Sequence, residues 1–157
     1  HGYTLHTTLM RPKSRGSVTL QSANPYQAPH IDPGFFTHPD DMAVAIKGAR
    51  MGFEVLEAKA MESYRGKRLH PFDVNDDRAM EQFLRATCDT EYHPVGTCKM
   101  GPDNDPMAVV VAQLRVRGIQ NLRVVDASIM PLLISGNTNA PSMVIGEKAA
   151  QLIRAGA

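Results

Sequence analysis

Four prolines and a glycine crowd the stretch SANPYQAPHIDPGFFTHP (residues 22–39), which limits the fold more than any other part of the sequence. Proline fixes φ and lacks a backbone donor, so neither a helix nor a central strand can run through this stretch. We therefore predict a loop here, which separates two strands from the helices that follow. The predicted strands are residues 3–10 and 17–21, and in the second Val18 and Leu20 alternate with polar neighbours, as in a half-buried antiparallel strand.

A long helix is predicted directly after this loop. Pro39 suits the first helical turn, and Asp40 and Asp41 lie where the positive end of the helix dipole favours carboxylates. Apolar residues then recur at spacings of four, three, four and three, which places them on one face of a helix. The helix is predicted to end near Lys59, and its apolar face consists of Met42, Ile46, Ala49, Phe53 and Leu56.

A second, shorter helix is predicted after Asn75, a good N-cap residue, with Met80, Phe83 and Leu84 facing inward. The chain is then irregular at 92–106 and forms a strand at 122–126. A last helix begins between residues 138 and 141 and carries the apolar residues Met143, Val144, Ala150 and Ile153. The order β-β-α-α-loop-β-α predicts the α+β class, with helices packed against a small antiparallel sheet.

Length and composition narrow the class of protein. The 157 residues suffice for one ordinary domain, and the net charge of +1 argues against a nucleic-acid partner, which needs a clustered basic surface. The densest basic run, RGKRLH (65–70), is short and typical of a solvated loop. No window reaches the roughly 18 to 20 consecutive apolar residues of a membrane span. Peripheral association with the inner membrane stays an option that the sequence does not support.

The two cysteines bear on both location and chemistry. Cys88 and Cys98 are too few for a disulfide framework, which predicts a reducing compartment and a cytoplasmic location. Cys98 beside Lys99 could form the thiolate of a Cys/His hydrolase, but nothing nearby resembles an oxyanion arrangement with a third orienting group. A zinc site formed by both cysteines and His93 would lack a fourth ligand and matches no zinc spacing, so no metal is predicted.

His93 is the first candidate for catalysis. It lies in EYHPVGTCKMGP (91–102), where Pro94 fixes the neighbouring backbone and Gly96 permits a close backbone approach. Histidine is also the usual residue for moving a proton near neutral pH. A histidine with a purely structural role in this loop is the alternative interpretation of the same residue.

The second candidate is the junction SGNTNAPSMVIGEKAAQLI (135–153), where a small polar loop enters the last predicted helix. Thr138 or Asn139 can cap this helix, whereas Asn137 lies ahead of the cap and needs another role. The free N–H groups of a helix N-terminus favour anionic groups. Asp126 is either an ordinary strand-end carboxylate or a partner for polar groups of a cofactor. These residues predict a ligand cleft with a base and an amide at its rim, and no particular reaction.

Three stretches together carry a family resemblance: YHPVGTCKMGP, LRVRGIQNLRVVDASIMP and SGNTNAPSMVIGEKAAQLI. They resemble the C-terminal segment of the glucose–methanol–choline (GMC) oxidoreductases, flavoproteins that oxidise alcohols to aldehydes or related carbonyls. RPKSRGSVTLQSANP and PHIDPGFF are similar to the substrate domain of that family, in its choline-dehydrogenase-like branch. The resemblance implies a substrate-binding portion at 1–92 and a catalytic, FAD-contacting segment at 93–157, whose strand and helix belong to the FAD-binding domain.

The resemblance also implies roles for individual residues. His93 falls on the catalytic histidine of the family, and Asn137 falls on the second member of its catalytic pair. His93 would accept the alcohol proton or stabilise the alkoxide while the α-carbon transfers a hydride to flavin, and Asn137 would donate its amide to the same oxygen. The implied FAD contacts, from the diphosphate to the pyrimidine edge, come from Asp126, Ala127, Asn137, Thr138, Asn139 and Ala140.

The dinucleotide fingerprint G-x-G-x-x-G is absent from the sequence, since Gly48 and Gly52 lie within a predicted helix. The ADP half of the FAD site is therefore expected on a missing N-terminal portion of the same protein, the expected partner of this chain. The expected activity is oxidation of a small primary alcohol, choline-like or other, to an aldehyde, and the isolated chain is expected to be inactive. An inactive fragment that acts as a substrate-binding or interaction module is the alternative.

Overall fold

The computed structural model describes residues 2–156, which contain two short strands and three α-helices. The chain divides between Glu91 and Tyr92 into two compact units. The first unit contains β1 (Ser17–Thr19), β2 (His30–Asp32), α1 (Pro39–Glu57) and α2 (Asp77–Thr87), and the second contains α3 (Asn139–Arg154). Helices with a small antiparallel sheet confirm the predicted α+β class. Positions 1 and 157, the outer ends of the two predicted segments, lie outside the described residues.

The sheet pairs different segments from those that the sequence pattern indicated. β1 runs antiparallel to β2, with Val18 opposite Ile31. The predicted strand at 3–10 is wrong, because these residues form no strand, and the predicted loop at 22–39 contains β2. Pro29 and Pro33 flank β2 and cannot donate to a ladder, so they limit its length to three residues without preventing it.

Two glycines permit this pairing. A Cβ on Gly16, just before β1, would lie 2.0 Å from the carbonyl oxygen of Asp32, so only glycine allows the strands to approach. Gly34 follows β2 and adopts a φ of +63°, a left-handed backbone conformation that residues with a Cβ rarely adopt. The strand partner of β1 is therefore determined by backbone contacts that alternation of side chains does not reveal.

Helix α1 forms as predicted, from Pro39 to Glu57, and all five residues of the predicted apolar face are buried or half-buried. His38 caps its N-terminus, since the ring Nδ1 accepts the N–H of Asp40 at 3.2 Å. Helix α2 begins one residue later than predicted, because Asp76 rather than Asn75 caps it. Met80 of α2 is completely buried, and Phe83 stacks on Phe72 with ring centroids 4.8 Å apart. Local periodicity thus predicted both helices of the first unit.

Asp41 holds the segment before β1 against the start of α1. Its side chain is buried and accepts the backbone N–H of Lys13 at 2.9 Å and that of Ser14 at 2.7 Å. Burial acts to raise the pKa of Asp41, but the hydrogen bonds from Lys13 and Ser14 outweigh it and hold this pKa below its ordinary value.

We expect Asp41→Ala to lower the free energy of unfolding by about 2 kcal/mol at pH 7, because two donors lose a charged acceptor. A carboxyl group with a depressed native pKa stabilises the fold above its unfolded pKa of about 3.9, and this contribution is lost as pH falls through the lower native pKa. Urea unfolding at pH 7 and pH 3 checks both effects. Glu54→Gln, on the exposed face of α1, is the control. An unchanged pH dependence in Asp41→Asn would contradict this role.

The second unit has a core of its own. Val110, Leu114, Ile129 and Ala149 are buried together, and Met100, Ile145 and Leu152 pack against them. On α3 the inward face therefore carries Ile145, Ala149 and Leu152, whereas Met143, Val144 and Ile153 are exposed. No helix in the described part of the chain has the length and apolar character needed to cross a membrane.

The predicted strand at 122–126 is reduced to one antiparallel bridge between Arg123 and Arg115. Leu114 and Asn121 have positive φ values of 65° and 59°, which break the extended backbone on either side of this bridge. Asp126 consequently does not end a strand. It caps a short 3₁₀ turn, Ala127–Ile129, by accepting the N–H of Ser128 at 2.8 Å.

Candidate functional site

The loop that carries His93 is attached to the 3₁₀ turn at 127–129. The N–H of Cys98 donates to the carbonyl of Ser128 at 3.0 Å, and the N–H of Met100 donates to that of Ile129 at 2.8 Å. Gly96 adopts a φ of +92°, which glycine tolerates without steric cost. These contacts hold the histidine loop beside the turn that leads to α3.

His93 contacts the residue at the start of α3. Its Nδ1 lies 3.1 Å from the hydroxyl oxygen of Thr138, and the backbone N–H of Thr138 donates to the same Nδ1 at 3.4 Å. Thr138 is buried and His93 is half-buried. Nε2 of His93 has no hydrogen-bond partner among residues 2–156 and is the ring atom left for a ligand.

The start of α3 has an unusual cap. Thr138 occupies the N-cap position, but its side chain donates or accepts no capping hydrogen bond. The prediction that Asn139 could cap the helix is wrong, since Asn139 is its first helical residue. Pro141 has no N–H, and Ser142 donates both its N–H and its hydroxyl to the carbonyl of Thr138. The N–H groups of Asn139 and Ala140 therefore remain without intrahelical partners.

This helix start suits an electron-rich group. Asn139 and Ala140 are both exposed, so a ligand can reach their N–H groups. Partial positive charge at the N-terminus of a 16-residue helix adds to the attraction. The residues present therefore fit the pyrimidine edge of a flavin, where N1 and the O2 carbonyl are acceptors.

Asn137 precedes this pair of donors and is exposed. Its side chain makes no hydrogen bond to another residue between positions 2 and 156, so its amide is available. Asp126 is exposed as well and uses Oδ1 to cap the 3₁₀ turn, while Ala127 is half-buried. The structure thus brings His93 into hydrogen-bond distance of Thr138. Asn137 is near Thr138 because the two residues are adjacent in the sequence.

The cysteines have surroundings unlike those of a reactive thiolate. Burial, followed by the neighbouring charge of Asp89, raises the pKa of the Cys88 thiol. Lys99, next to Cys98, pairs with the carboxylate of Asp105 at 2.8 Å, so its charge is compensated elsewhere. No cluster of three or more metal-ligating side chains occurs in the described residues.

The pairing of His93 with Thr138 is the feature that sequence reasoning missed. Thr138 was identified as a potential cap and a cofactor contact, but the two residues are 45 positions apart in the chain. No periodicity or spacing connects positions at that separation. One local signal exists. Pro141 lies three positions after the N-cap residue Thr138 and lacks an N–H, so one of the usual donors to a capping hydroxyl is missing.

Comparisons with known proteins identify the relatives of this chain. The chain is 46% identical over 154 residues to an alcohol dehydrogenase [acceptor] of Pseudomonas putida. This alignment covers 98% of this chain and 28% of that protein. It is 45% identical over 153 residues to the mitochondrial choline dehydrogenase of Mus musculus. That alignment covers 97% of this chain and 26% of that protein. The chain therefore spans about a quarter of the length of these relatives.

The fold is likewise that of a solved flavoprotein. An FAD-dependent oxidoreductase from Chaetomium thermophilum superposes with a TM-score of 0.83 at 31% identity, over 92% of this chain and 25% of that chain. The family model of the GMC oxidoreductases matches residues 12–146, which is most of the sequence. With that match, and with relatives well above the identity at which families diverge, the chain belongs to the GMC oxidoreductase family.

Proposed function

We propose that this chain supplies the catalytic histidine and the flavin-facing helix start of an FAD-dependent enzyme that oxidises a primary alcohol to an aldehyde. The observation that carries the proposal is His93, fixed at Nδ1 by the first residues of α3 with Nε2 left unpaired among residues 2–156. Relatives named alcohol dehydrogenase and choline dehydrogenase support a small alcohol, choline-like or other, as the substrate.

The residues of the second unit have separate tasks in this reaction. FAD, when bound, accepts a hydride from the α-carbon of the alcohol. His93 holds the hydroxyl oxygen at Nε2, where it either accepts the proton or donates to the developing alkoxide. Asn137 donates its free amide to the same oxygen. Two donors on one oxygen favour the negative charge that develops there as the reaction proceeds.

The start of α3 and the 3₁₀ turn hold the cofactor. The N–H groups of the exposed residues Asn139 and Ala140 would donate to the electron-rich edge of the flavin, with Thr138 beside them. When FAD is bound, Asp126 and Ala127 would contact its diphosphate and ribitol. A partial positive charge at this helix end favours an anionic flavin over a neutral one.

The rest of the enzyme lies outside this sequence. We assign the first unit to the substrate-binding domain and the second to the catalytic, FAD-contacting segment, with the ADP-binding portion of the same protein as partner. A cytoplasmic location is consistent with Cys88 and Cys98, which are both free thiols in the structure.

A visible absorption spectrum of the protein that carries this chain together with its FAD-binding portion tests the proposal. We expect the bands of oxidised flavin, and we expect choline or another primary alcohol to bleach them in the absence of oxygen. Glycine betaine, which has no hydroxyl group, is the matched control and should leave the bands intact. Flavin bands that no alcohol bleaches, or a colourless protein, would refute the proposed function and favour a binding module.

A further inference from the structure

We infer that two copies of the protein associate through the outer side of α1, with the two helices antiparallel and related by a two-fold axis. The contact surface consists of Val44, Gly48, Met51 and Val55, which together form the outer stripe of α1. This inference goes beyond the proposed function, because the outer stripe belongs to the first unit and includes no residue of the candidate site.

The outer stripe is apolar and exposed. Val44, Met51 and Val55 are 56%, 58% and 52% exposed. Spacings of four, three and four residues place the stripe along one side of the helix, opposite the inward side that carries Ala49 and Phe53. The solvent side of a surface helix is ordinarily polar, so a continuous apolar stripe there indicates a partner.

Gly48 leaves an open position in the middle of this stripe. Glycine is a poor helix former, yet it lies in the interior of a 19-residue helix. Among the described residues, a Cβ on Gly48 would meet no atom within 4 Å, so packing within the chain does not require glycine. A glycine on an exposed helix side permits the close approach of another chain.

The outer stripe is complementary to itself. Val44 and Val55 lie equally far from the point midway between positions 49 and 50, and so do Gly48 and Met51. A two-fold axis through this point therefore places Met51 of one copy over Gly48 of the other, and Val44 over Val55. Each contact then occurs twice, as in an isologous interface.

Two charged residues on one flank of the stripe identify the partner as a second copy. Lys47 and Glu54 are exposed, and neither forms an ion pair with another residue between positions 2 and 156. They are two helical turns apart, which is too far for them to pair within one helix. In an antiparallel pair these flanks meet, so Lys47 of each copy approaches Glu54 of the other. A parallel pair would bring Lys47 to Lys47, which like charges disfavour.

The contact is small, so the association is weak. Interfaces below about 1,200 Å² are characteristic of transient complexes, and we expect a Kd on the order of 10⁻⁵ M. Unfolding experiments at about 1 µM protein therefore report on the monomer. In the monomer Met51 and Glu54 are exposed.

Sedimentation of the full-length, flavin-loaded protein from about 1 to about 200 µM tests the association. We expect the average molar mass to rise with concentration towards that of a dimer. Met51→Gln should weaken association at least about tenfold. Met107→Gln, which changes a 71% exposed methionine of the second unit, should behave as the wild type. Gly48→Gln should also weaken association without lowering Tm, because glutamine is the better helix former.

Charge reversal tests the antiparallel arrangement. Lys47→Glu and Glu54→Lys each bring like charges together, and each should weaken association at least about tenfold in low salt. An equimolar mixture of the two variants should associate again, because each chain supplies the charge that the other lacks. The double variant Lys47→Glu/Glu54→Lys should associate with itself for the same reason. Circular dichroism verifies that all variants fold.

Three results would overturn the inference. The first is a wild-type protein that stays monomeric at all concentrations, as it would if the FAD-binding portion covered the outer stripe. The second is a dimer that Met51→Gln and the charge reversals leave unchanged, since another surface would then hold it together. The third is a mixture of the charge variants that associates no better than each alone. Sedimentation needs no substrate, so these results do not depend on whether the proposed function is correct.

Discussion

Replacement of His93 by alanine in the flavin-loaded enzyme is expected to slow alcohol oxidation by about 10²-fold or more, the usual contribution of a positioned acid–base or hydrogen-bonding group. The reason is geometric, because Nδ1 is fixed by Thr138 and Nε2 is the ring atom that remains for the alcohol oxygen. Rapid mixing with a saturating alcohol without oxygen measures the rate of flavin bleaching, which isolates the chemical step from reoxidation.

A matched set of variants makes this result specific. His30→Ala removes an exposed histidine whose backbone alone takes part in the sheet, and it should bleach at the wild-type rate. His93→Gln places an amide N–H near the position of Nε2. If the ring acts as a donor, this amide should replace part of its hydrogen bond to the alcohol oxygen. Recovery of part of the rate in Gln would assign the donor role to His93, and a rate as low as that of Ala would assign it the role of proton acceptor. Near-normal bleaching in His93→Ala would remove His93 from the mechanism.

Met80→Ala is expected to lower the free energy of unfolding of the first unit by about 3 kcal/mol. Met80 is completely buried on α2, which packs against α1. The loss combines the transfer free energy of the removed atoms with the cost of the cavity that they leave. Chemical denaturation followed by circular dichroism measures the change.

Met51→Ala provides the control for this measurement. Met51 lies on α1 and is 58% exposed, so we expect its truncation to change stability by less than about 0.5 kcal/mol. The two variants remove the same atoms from helical positions that differ in burial. A loss below about 1 kcal/mol in Met80→Ala would show that α2 contributes little to the core of the first unit.

Helices were predictable because their signals are local. The spacing of Met42, Ile46 and Ala49 follows the 3.6-residue period, and Pro39 marks the first turn. The strands failed for the opposite reason, since β1 could pair with any extended segment. Its partner β2 lies between two prolines, in a stretch whose composition predicts a loop. The choice depended on the backbone approach at Gly16, which involves residues distant in sequence.

The candidate site divides in the same way. His93 and Asn137 were found from the residue types around them and from the family resemblance, and both remain predictions until variants are measured. Asp126 was expected at a strand end and instead caps a 3₁₀ turn, because the pairing of the preceding residues stops at a single bridge. Thr138 was named for the helix cap, and its hydrogen bond to His93 emerged from the structure alone.

The sequence by itself determined the helices and the family and supplied the candidate site residues, because periodicity and motifs are properties of contiguous residues. The tertiary structure alone decided which strand pairs with β1 and which atoms meet Nδ1 of His93. Those outcomes depend on contacts between segments far apart in the chain, where local preferences carry no information. The nitrogen on which a histidine holds its proton is set by the neighbours that folding brings to it.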